Sequence, residues 1–415
     1  MITKEIKQTI LLTWPLLAGL FMIMSGNGLQ GTLLGLRASI EGFPIFVTGI
    51  VMSLYYAGFL LGCLLTPKMI ASVGHIRVFA ALASVASTTI LLHGIFVDPW
   101  LWGGIRVISG ISFAGLFIVS ESWLNSISTN KLRAQIFGVY LLVTNGGHFA
   151  GQFLINIGPL EEIGLFVLIS ILVSLSMLPL TLANKPSPSN EMTEILPLKS
   201  LIKSSQLALA SVFTAGFCAG TLYGIGAVYA IEIGQSSAWA AAFVATFIAG
   251  SAIIPLFLGA LSDNMDRRFV IIMIALTSFF ISMGFLVNIG TFVLIFLLGG
   301  LNTSLYGIGL AYMNDHIKPE QSVSASTSLI LVNGAGAMVG PLCAGVIMDV
   351  LGTYAFFYSF AALYLVLFVF GMYRAKIGRN INIDDQGEYI PVTSRSTPTF
   401  LEIAEDTTSE EAPPK

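Results

Sequence analysis

The chain reads as an all-α membrane protein, with twelve transmembrane helices in two pseudo-symmetric six-helix bundles, and three observations carry that reading. Of 415 residues, 55% are hydrophobic and only 10% are charged, against roughly 25% charged in a soluble globular domain. Twelve apolar stretches recur from end to end, each near the ~20 residues that cross a ~30 Å hydrocarbon core. The longest polar interruption before the tail, NKPSPSNEMTEILPLKS, divides them six and six.

The first stretch, 10–36, follows Lys4 and Lys7 as a signal peptide would. Its apolar run is far longer than the ~7 to 15 residues of a leader and it has no convincing cleavage site, so it reads as a retained helix. Stretches at 45–66, 77–97, 100–124, 134–157 and 163–183 complete a first bundle, 1–184. A cytoplasmic linker, 185–206, leads to stretches at 207–231, 238–261, 269–288, 292–313, 324–348 and 353–373, the second bundle, 207–374. Residues 375–415, with Asp384, Asp385, Glu388, Glu402, Glu405, Asp406, Glu410 and Glu411 and few apolar residues between them, read as a disordered acidic cytoplasmic tail.

Charge orients the chain. Lys68, Arg77, Lys131, Arg133, Lys185, Lys199, Lys203, Arg267, Arg268 and Lys318 fall in loops on the side of the termini, and Arg37 is the exception on the other. Short cytoplasmic loops carry the excess of Lys and Arg, so both termini are expected in the cytoplasm. Trp14, Trp100, Trp102, Trp123 and Trp239 lie near stretch ends, where amphipathic rings favour the headgroup layer. His93, near the outer end of the third stretch, reads as interfacial.

Several classes are disfavoured. Three cysteines, Cys63, Cys218 and Cys343, sit in apolar stretches without metal-type spacing, so neither a disulfide framework nor a metal site is expected. A net charge of −3 suggests no nucleic-acid partner. No HExxH, GxSxG or paired intramembrane acids announce an enzyme, no phosphate-binding loop announces nucleotide hydrolysis, and no cofactor is implied. A monomer in the bilayer is expected.

The halves show weak internal similarity, as transporters built from repeats do. Pro67 and Gly259 hold equivalent places after the second and eighth stretches at an offset of 259 − 67 = 192, and Gly28 maps to Gly220 by the same shift. Asn145-Gly146 and Asn333-Gly334 match at 333 − 145 = 188.

The loop after the eighth stretch, GALSDNMDRR from Gly259 to Arg268, resembles the signature loop of the major facilitator superfamily. The resemblance implies that Asp263 and Arg267 belong to a latch on the cytoplasmic side, the carboxylate facing the N-terminus of a helix in the other half, where the macrodipole favours an anion. The first-half counterpart, PKMIASVGHIR, departs from the pattern: Pro67 replaces the glycine and Ala71 the acid, while Gly74 and Arg77 keep the basic end. R-V-I-S-G from Arg106 to Gly110 is similar to the fourth-helix motif of the family. Gly336, Gly340, Pro341 and Gly345 resemble a glycine-proline motif usually sought in the fifth helix of antiporters, where this chain has Gly147, Gly151 and Gln152 instead. With E-S-W-L-N and G-H-F-A-G-Q, from Glu121 to Asn125 and Gly147 to Gln152, the chain resembles the YcaD-like bacterial branch.

Ionisable and polar groups inside apolar stretches are functional candidates by default. Arg106 lies roughly 9 Å, and His148 about 14 Å, inside the outer ends of their helices. Asn27, Tyr223 and Asn302 fall at similar depth, and Gln30 and Tyr306 share faces near them. These seven residues, Asn27, Gln30, Arg106, His148, Tyr223, Asn302 and Tyr306, are the expected substrate layer. For each, interhelical packing or hydrogen bonding is the bland alternative, and for Arg106 it is snorkelling outward. His148, with a reference pKa of ~6.5, is the proton-coupling candidate. Arg77, Glu121, Arg133, Asp263 and Arg267 are expected in a cytoplasmic gate, Glu121 pairing with Arg77 or Arg133.

The reading that follows is secondary active transport of a small polar solute, anions included, by alternating access, with protons as a coupling ion. Two rivals stand beside it: proton-driven efflux of hydrophobic compounds, and a non-transporting membrane sensor that signals through its tail.

Overall fold

In a computed structural model of the chain, the structure describes residues 4–127, 130–178, 196–285, 290–318 and 321–377, together with 383, 386, 387 and 389; side chains up to 13, from 125 to 135, and at 137, 198 and 323 lie outside the description. Half of the expected linker, 185–195, and most of the acidic tail, Asp384, Asp385 and Glu388 included, therefore fall outside it.

All regular structure among the described residues is helical. The long helices are α1 (Lys4–Ile40), α2 (Ile45–Val73), α3 (His75–Ile95), α4 (Pro99–Ile127), α5 (Asn130–Phe153), α6 (Gly164–Leu175), α7 (Gln206–Glu232), α8 (Ser237–Asp263), α9 (Arg267–Gly284), α10 (Thr291–Asn314), α11 (Ser322–Leu351) and α12 (Ala355–Ile377). A short linker helix, Leu198–Ser204, precedes α7. Each long helix overlies one apolar stretch, and ten of them are long and apolar enough to cross a membrane. α6 is shorter, and α5 gives way to a 3₁₀ turn at Leu154–Ile157.

Helix starts and stops follow local chemistry. Ser205, Ser236 and Asp266 cap α7, α8 and α9 by accepting from backbone N–H groups with their side chains, which satisfies donors that a helix leaves unpaired. Gly74 alone separates α2 from α3, with φ 84° and ψ 162°, a conformation closed to residues with a Cβ. Pro67 sits inside α2 and Gly259 inside α8, rather than in the loops where the sequence reading put them: α2 runs on past its hydrocarbon-length segment, and Gly259 already falls within the stretch 238–261 that α8 overlies. Neighbouring helices tolerate a proline in such a span by re-satisfying the freed backbone groups.

Glycine contacts decide which helices meet. A Cβ on Gly58 would fall 2.0 Å from the Val107 carbonyl oxygen, so α2 and α4 touch backbone to backbone; a Cβ on Gly250 would fall 1.9 Å from the Phe296 oxygen, giving α8 and α10 the same contact. These glycines are related by 250 − 58 = 192, the sequence offset. Gly147 and Gly151 seat α5 on α1, as Gly336 and Gly340 seat α11 on α7. Further α3–α6 and α9–α12 contacts match in the same way, while α2–α11, α1–α7 and α5–α8 contacts join the first six helices to the last six.

The loops after α1, α5 and α11 gather at one end, called outer below: Arg37 donates to the Leu160 carbonyl at 3.0 Å and pairs with Glu41, and the Phe46 amide donates to Asp349 at 3.1 Å. The loops after α2, α8 and α10 mark the inner end. Two expectations at the ends need correction. Trp102 and Trp123 are buried rather than at a headgroup layer, and so is His93; the His93 ring lies edge-on to Trp102 at 5.6 Å, with Nδ1 2.7 Å from the Thr89 carbonyl oxygen. The His93 and Trp102 rings of α3 and α4 turn toward each other, and Trp102 Nε1 donates to the Phe96 carbonyl at 2.6 Å.

Candidate functional site

The interior of the bundle holds a polar layer built from α1, α2, α4, α5 and α7. Arg106 on α4 is 5% exposed, and its guanidinium carbon stands 4.3 Å from the centroid of the Tyr55 ring on α2. A cation over an aromatic face is attracted by the ring quadrupole, by about 2 kcal/mol or more where water is excluded. Asn27 on α1 donates to the Tyr55 hydroxyl at 3.1 Å, so the phenol ties the amide and the guanidinium into one unit. Arg106 therefore points into the bundle and does not snorkel to lipid.

His148 on α5 forms the other wall. Its ring meets Tyr223 of α7 edge-on, centroids 5.3 Å apart, and Tyr223 meets Phe247 of α8 in the same way at 5.6 Å. The approach depends on Gly28, whose absent Cβ would lie 2.5 Å from the His148 carbonyl oxygen. Gln152 fastens α5 to α1 by donating to the Gly28 carbonyl at 2.9 Å and accepting from Thr32. Gln30 is 1% exposed, with both side-chain amide atoms buried and without hydrogen bonds. A buried amide left in that state costs of order 1–3 kcal/mol, a cost that a ligand offering a donor and an acceptor side by side would remove.

The remaining expected layer residues lie elsewhere. Asn302 uses both ends of its amide within α7, α10 and α12, donating to the Ala215 carbonyl at 3.0 Å and accepting from Tyr364 at 2.9 Å. It ties helices together and makes no contact with the Arg106 unit. Tyr306, one turn on, is 1% exposed and lies within electrostatic reach of Glu121 and Cys63 from the other half.

The expected gate divides into separate pieces. Glu121 is fully buried and accepts from the Tyr140 hydroxyl, whereas Arg77 is exposed and in no ion pair among the described residues; the expected Glu121–Arg77 pair is not formed. Arg77 stands exposed in the first turn of α3, whereas Glu121 is enclosed with Tyr140 between α4 and α5. The side chain of Arg133 lies outside the described residues.

Asp263 and Arg267 do meet, at 2.8 Å, one turn apart across the α8–α9 corner. Arg267 is 1% exposed and directs Nη1 at both oxygens of Asp315, 2.8 and 2.7 Å away. Burial pushes the Asp315 carboxyl above the usual carboxylate range, with the Arg267 charge opposing it. The backbone of the C-terminal segment completes the cluster: Arg267 Nη2 donates to the Gly387 carbonyl, the Gly387 amide to Asp315 at 3.0 Å, and the Tyr389 amide to Asp263 at 3.0 Å. For these residues the expectation of a disordered tail is corrected, because two carboxylates and a guanidinium supply the partners their backbone needs. Among the described residues the hydrogen bonds and ion pair of Asp263 are to Arg267 and Tyr389 and none reaches the first six helices.

Sequence reasoning missed Tyr55 and Asp315. An aromatic ring in an apolar stretch carries no polar signal, and Asp315 was one more acid at a helix end.

Comparison with known proteins agrees with this architecture. The Major Facilitator Superfamily model matches residues 16–287 and 229–395. The chain is 26% identical over 340 residues to an uncharacterized MFS-type transporter of Enterobacter sp. (strain 638), covering 80% of this chain and 88% of that one. It has the same identity and coverage with the uncharacterized MFS-type transporter YcaD of Escherichia fergusonii. The crystal structure of the nucleoside transporter NupG superposes with a TM-score of 0.75 at 14% identity, over 88% of this chain and 99% of the other; the likeness is one of fold. A multi-pass helical chain with these relatives is a transporter, and it belongs to the Major Facilitator Superfamily.

Proposed function

We propose that the protein is a secondary active transporter that moves a small polar solute, anions included, across the bacterial inner membrane by alternating access. In this reading all twelve helices span the bilayer as two pseudo-symmetric six-helix bundles, 1–184 and 207–374, with both termini cytoplasmic. The observation that carries it is the buried Arg106 guanidinium of α4 stacked on Tyr55 of α2, beside Asn27 of α1; α1 and α2 each also touch α7 of the other half. A guanidinium that stays charged at membrane depth is retained for an anion or a titrating partner. His148 and Tyr223 meet edge-on from opposite halves, so a solute packed against the pair would touch both halves. Gln30 adds an amide with bonds to offer.

His148 is the group proposed to exchange a proton, since an imidazole changes charge near working pH. The solute class is in keeping with that of a protein of like fold, the nucleoside transporter NupG. The outer ends of α2 and α11 are in contact: a Cβ on Gly49 would lie 2.5 Å from the Pro341 carbonyl oxygen. The structure is thus read as closed at the outer end.

The test is a thermal-shift screen of the purified protein against nucleosides, carboxylates and sugar phosphates, followed by uptake of the hit into proteoliposomes. A ligand at 100 times its Kd stabilises the native state by about 2.7 kcal/mol, a visible shift. Arg106→Ala is expected to fold and to lose uptake; uptake of the hit at the wild-type rate by that variant would falsify the assignment.

A further inference from the structure

The C-terminal segment makes contacts that transport chemistry does not call for. Tyr389 inserts its ring between α8 and α10 at the inner end. A Cβ on Gly259 would lie 2.2 Å from the ring, and one on Gly307 would lie 2.6 Å from the phenol oxygen. The nearest atoms to both glycines are those of Tyr389 alone. The notch is therefore shaped by two missing side chains and filled by one ring. The phenol oxygen is buried without a hydrogen bond, so the seat is one of shape. Polarity enters through the backbone on either side, where Gly387 and Tyr389 bind Asp315, Arg267 and Asp263.

We propose that Gly387 and Tyr389 form an internal strap, seated in the α8–α10 notch, which withholds bonds of Asp263 and Arg267 from the opposite half and so holds the inner mouth open. The inference rests on the alternating-access reading and on the latch role that the signature-loop resemblance implies for these two residues. Asp263 has its Oδ1 atom shared between Arg267 and the Tyr389 amide. Arg267 divides its two terminal nitrogens among Asp263, Asp315 and Gly387. The strap takes one bond on each group, an N–H of Arg267 through the Gly387 carbonyl and Oδ1 of Asp263 through the Tyr389 amide. Release of the strap returns those two positions to the opposite half, and the inner ends of the two halves then draw together. The strap is a two-state element, and both its seat and the latch compete for the same atoms, which is the physical condition for a switch.

The test uses the full-length protein in liposomes and needs no transported solute. Hydrogen exchange reports the seat: the Gly387 and Tyr389 amides are expected to be protected in the wild type and in Tyr389→Phe, and to exchange at least tenfold faster in Tyr389→Ala. Gly307→Leu, which fills the notch without altering the tail, is expected to match Tyr389→Ala. Wild-type amides that exchange at the unprotected rate, or variants that keep their protection, overturn the seat. Spin labels at Ser72 and Asn264, exposed positions at the inner ends of α2 and α8, report the switch. Releasing the strap is expected to shift their distance distribution to shorter values, and an unchanged distribution overturns the regulatory role. Either failure leaves the uptake experiment on Arg106 unaffected, so the two readings fall separately.

Discussion

Arg106 keeps a full charge among apolar helices because Tyr55 gives it a face to lie on and Asn27 holds that face still. A planar guanidinium can stack and still present N–H groups at its edge, which a lysine ammonium cannot do. Arg106→Lys is therefore expected to fold like the wild type and to lose at least tenfold in uptake, as measured in proteoliposomes; unchanged uptake would show that charge alone suffices. Asp266 makes a second residue-level case. Burial alone raises its carboxyl, but the Arg268 hydrogen bonds and charge outweigh that and hold it below the ordinary carboxylate range. A carboxyl depressed in the folded state contributes stability that is present above its unfolded pKa and is lost as pH falls through the folded value. Asp266→Ala should cost about 1 kcal/mol as a lost N-cap, seen as a lower melting temperature at neutral pH, and the deficit should shrink in acid below the carboxylate range. The site was partly legible at this scale. Arg106, His148, Asn27 and Gln30 stood out because polar groups are costly in apolar stretches. Tyr55 gave no such signal, and Asn302 gave the same one while serving only to join helices.

Helices, by contrast, were legible almost to their ends, since hydrophobic length is set by the bilayer and not by any partner. Pro67 reads as a loop residue because α2 continues beyond the hydrocarbon, where hydropathy no longer marks it, whereas Gly259 already falls inside the stretch 238–261 that α8 overlies. Contacts between helices were less legible, because an abundant glycine does not say which neighbour it faces. Gly58→Leu is predicted to force α2 from α4, its first side-chain atom falling 2.0 Å from a carbonyl oxygen. Overpacking of this kind costs typically 1–3 kcal/mol, to be read as a fall in melting temperature in detergent. Gly138, with nothing within 4 Å of its would-be Cβ, supplies the control: Gly138→Ala should melt with the wild type. Gly74→Ala is expected to cost about 1–3 kcal/mol for a different reason, the φ of 84° at a single-residue link.

The whole molecule repeats its helix contacts across an offset that the sequence shows only faintly, since Gly58 and Gly250 keep the backbone approach while most side chains around them have changed. Packing of small residues preserves a fold under such drift. What the sequence could not show was the strap, whose partners lie up to 126 residues away along the chain. The account as a whole requires the outer contact between α2 and α11 to open in every cycle. Phe46 and Asp349 meet there, backbone amide to carboxylate, at 3.1 Å. With Cys63, Cys218 and Cys343 replaced, Phe46→Cys with Asp349→Cys can be joined by a disulfide or a short bismaleimide bridge and assayed for uptake of the screened solute. The account predicts that the disulfide-linked protein falls to background and recovers fully on reduction; uptake that continues at the unlinked rate while the bridge is intact would contradict it.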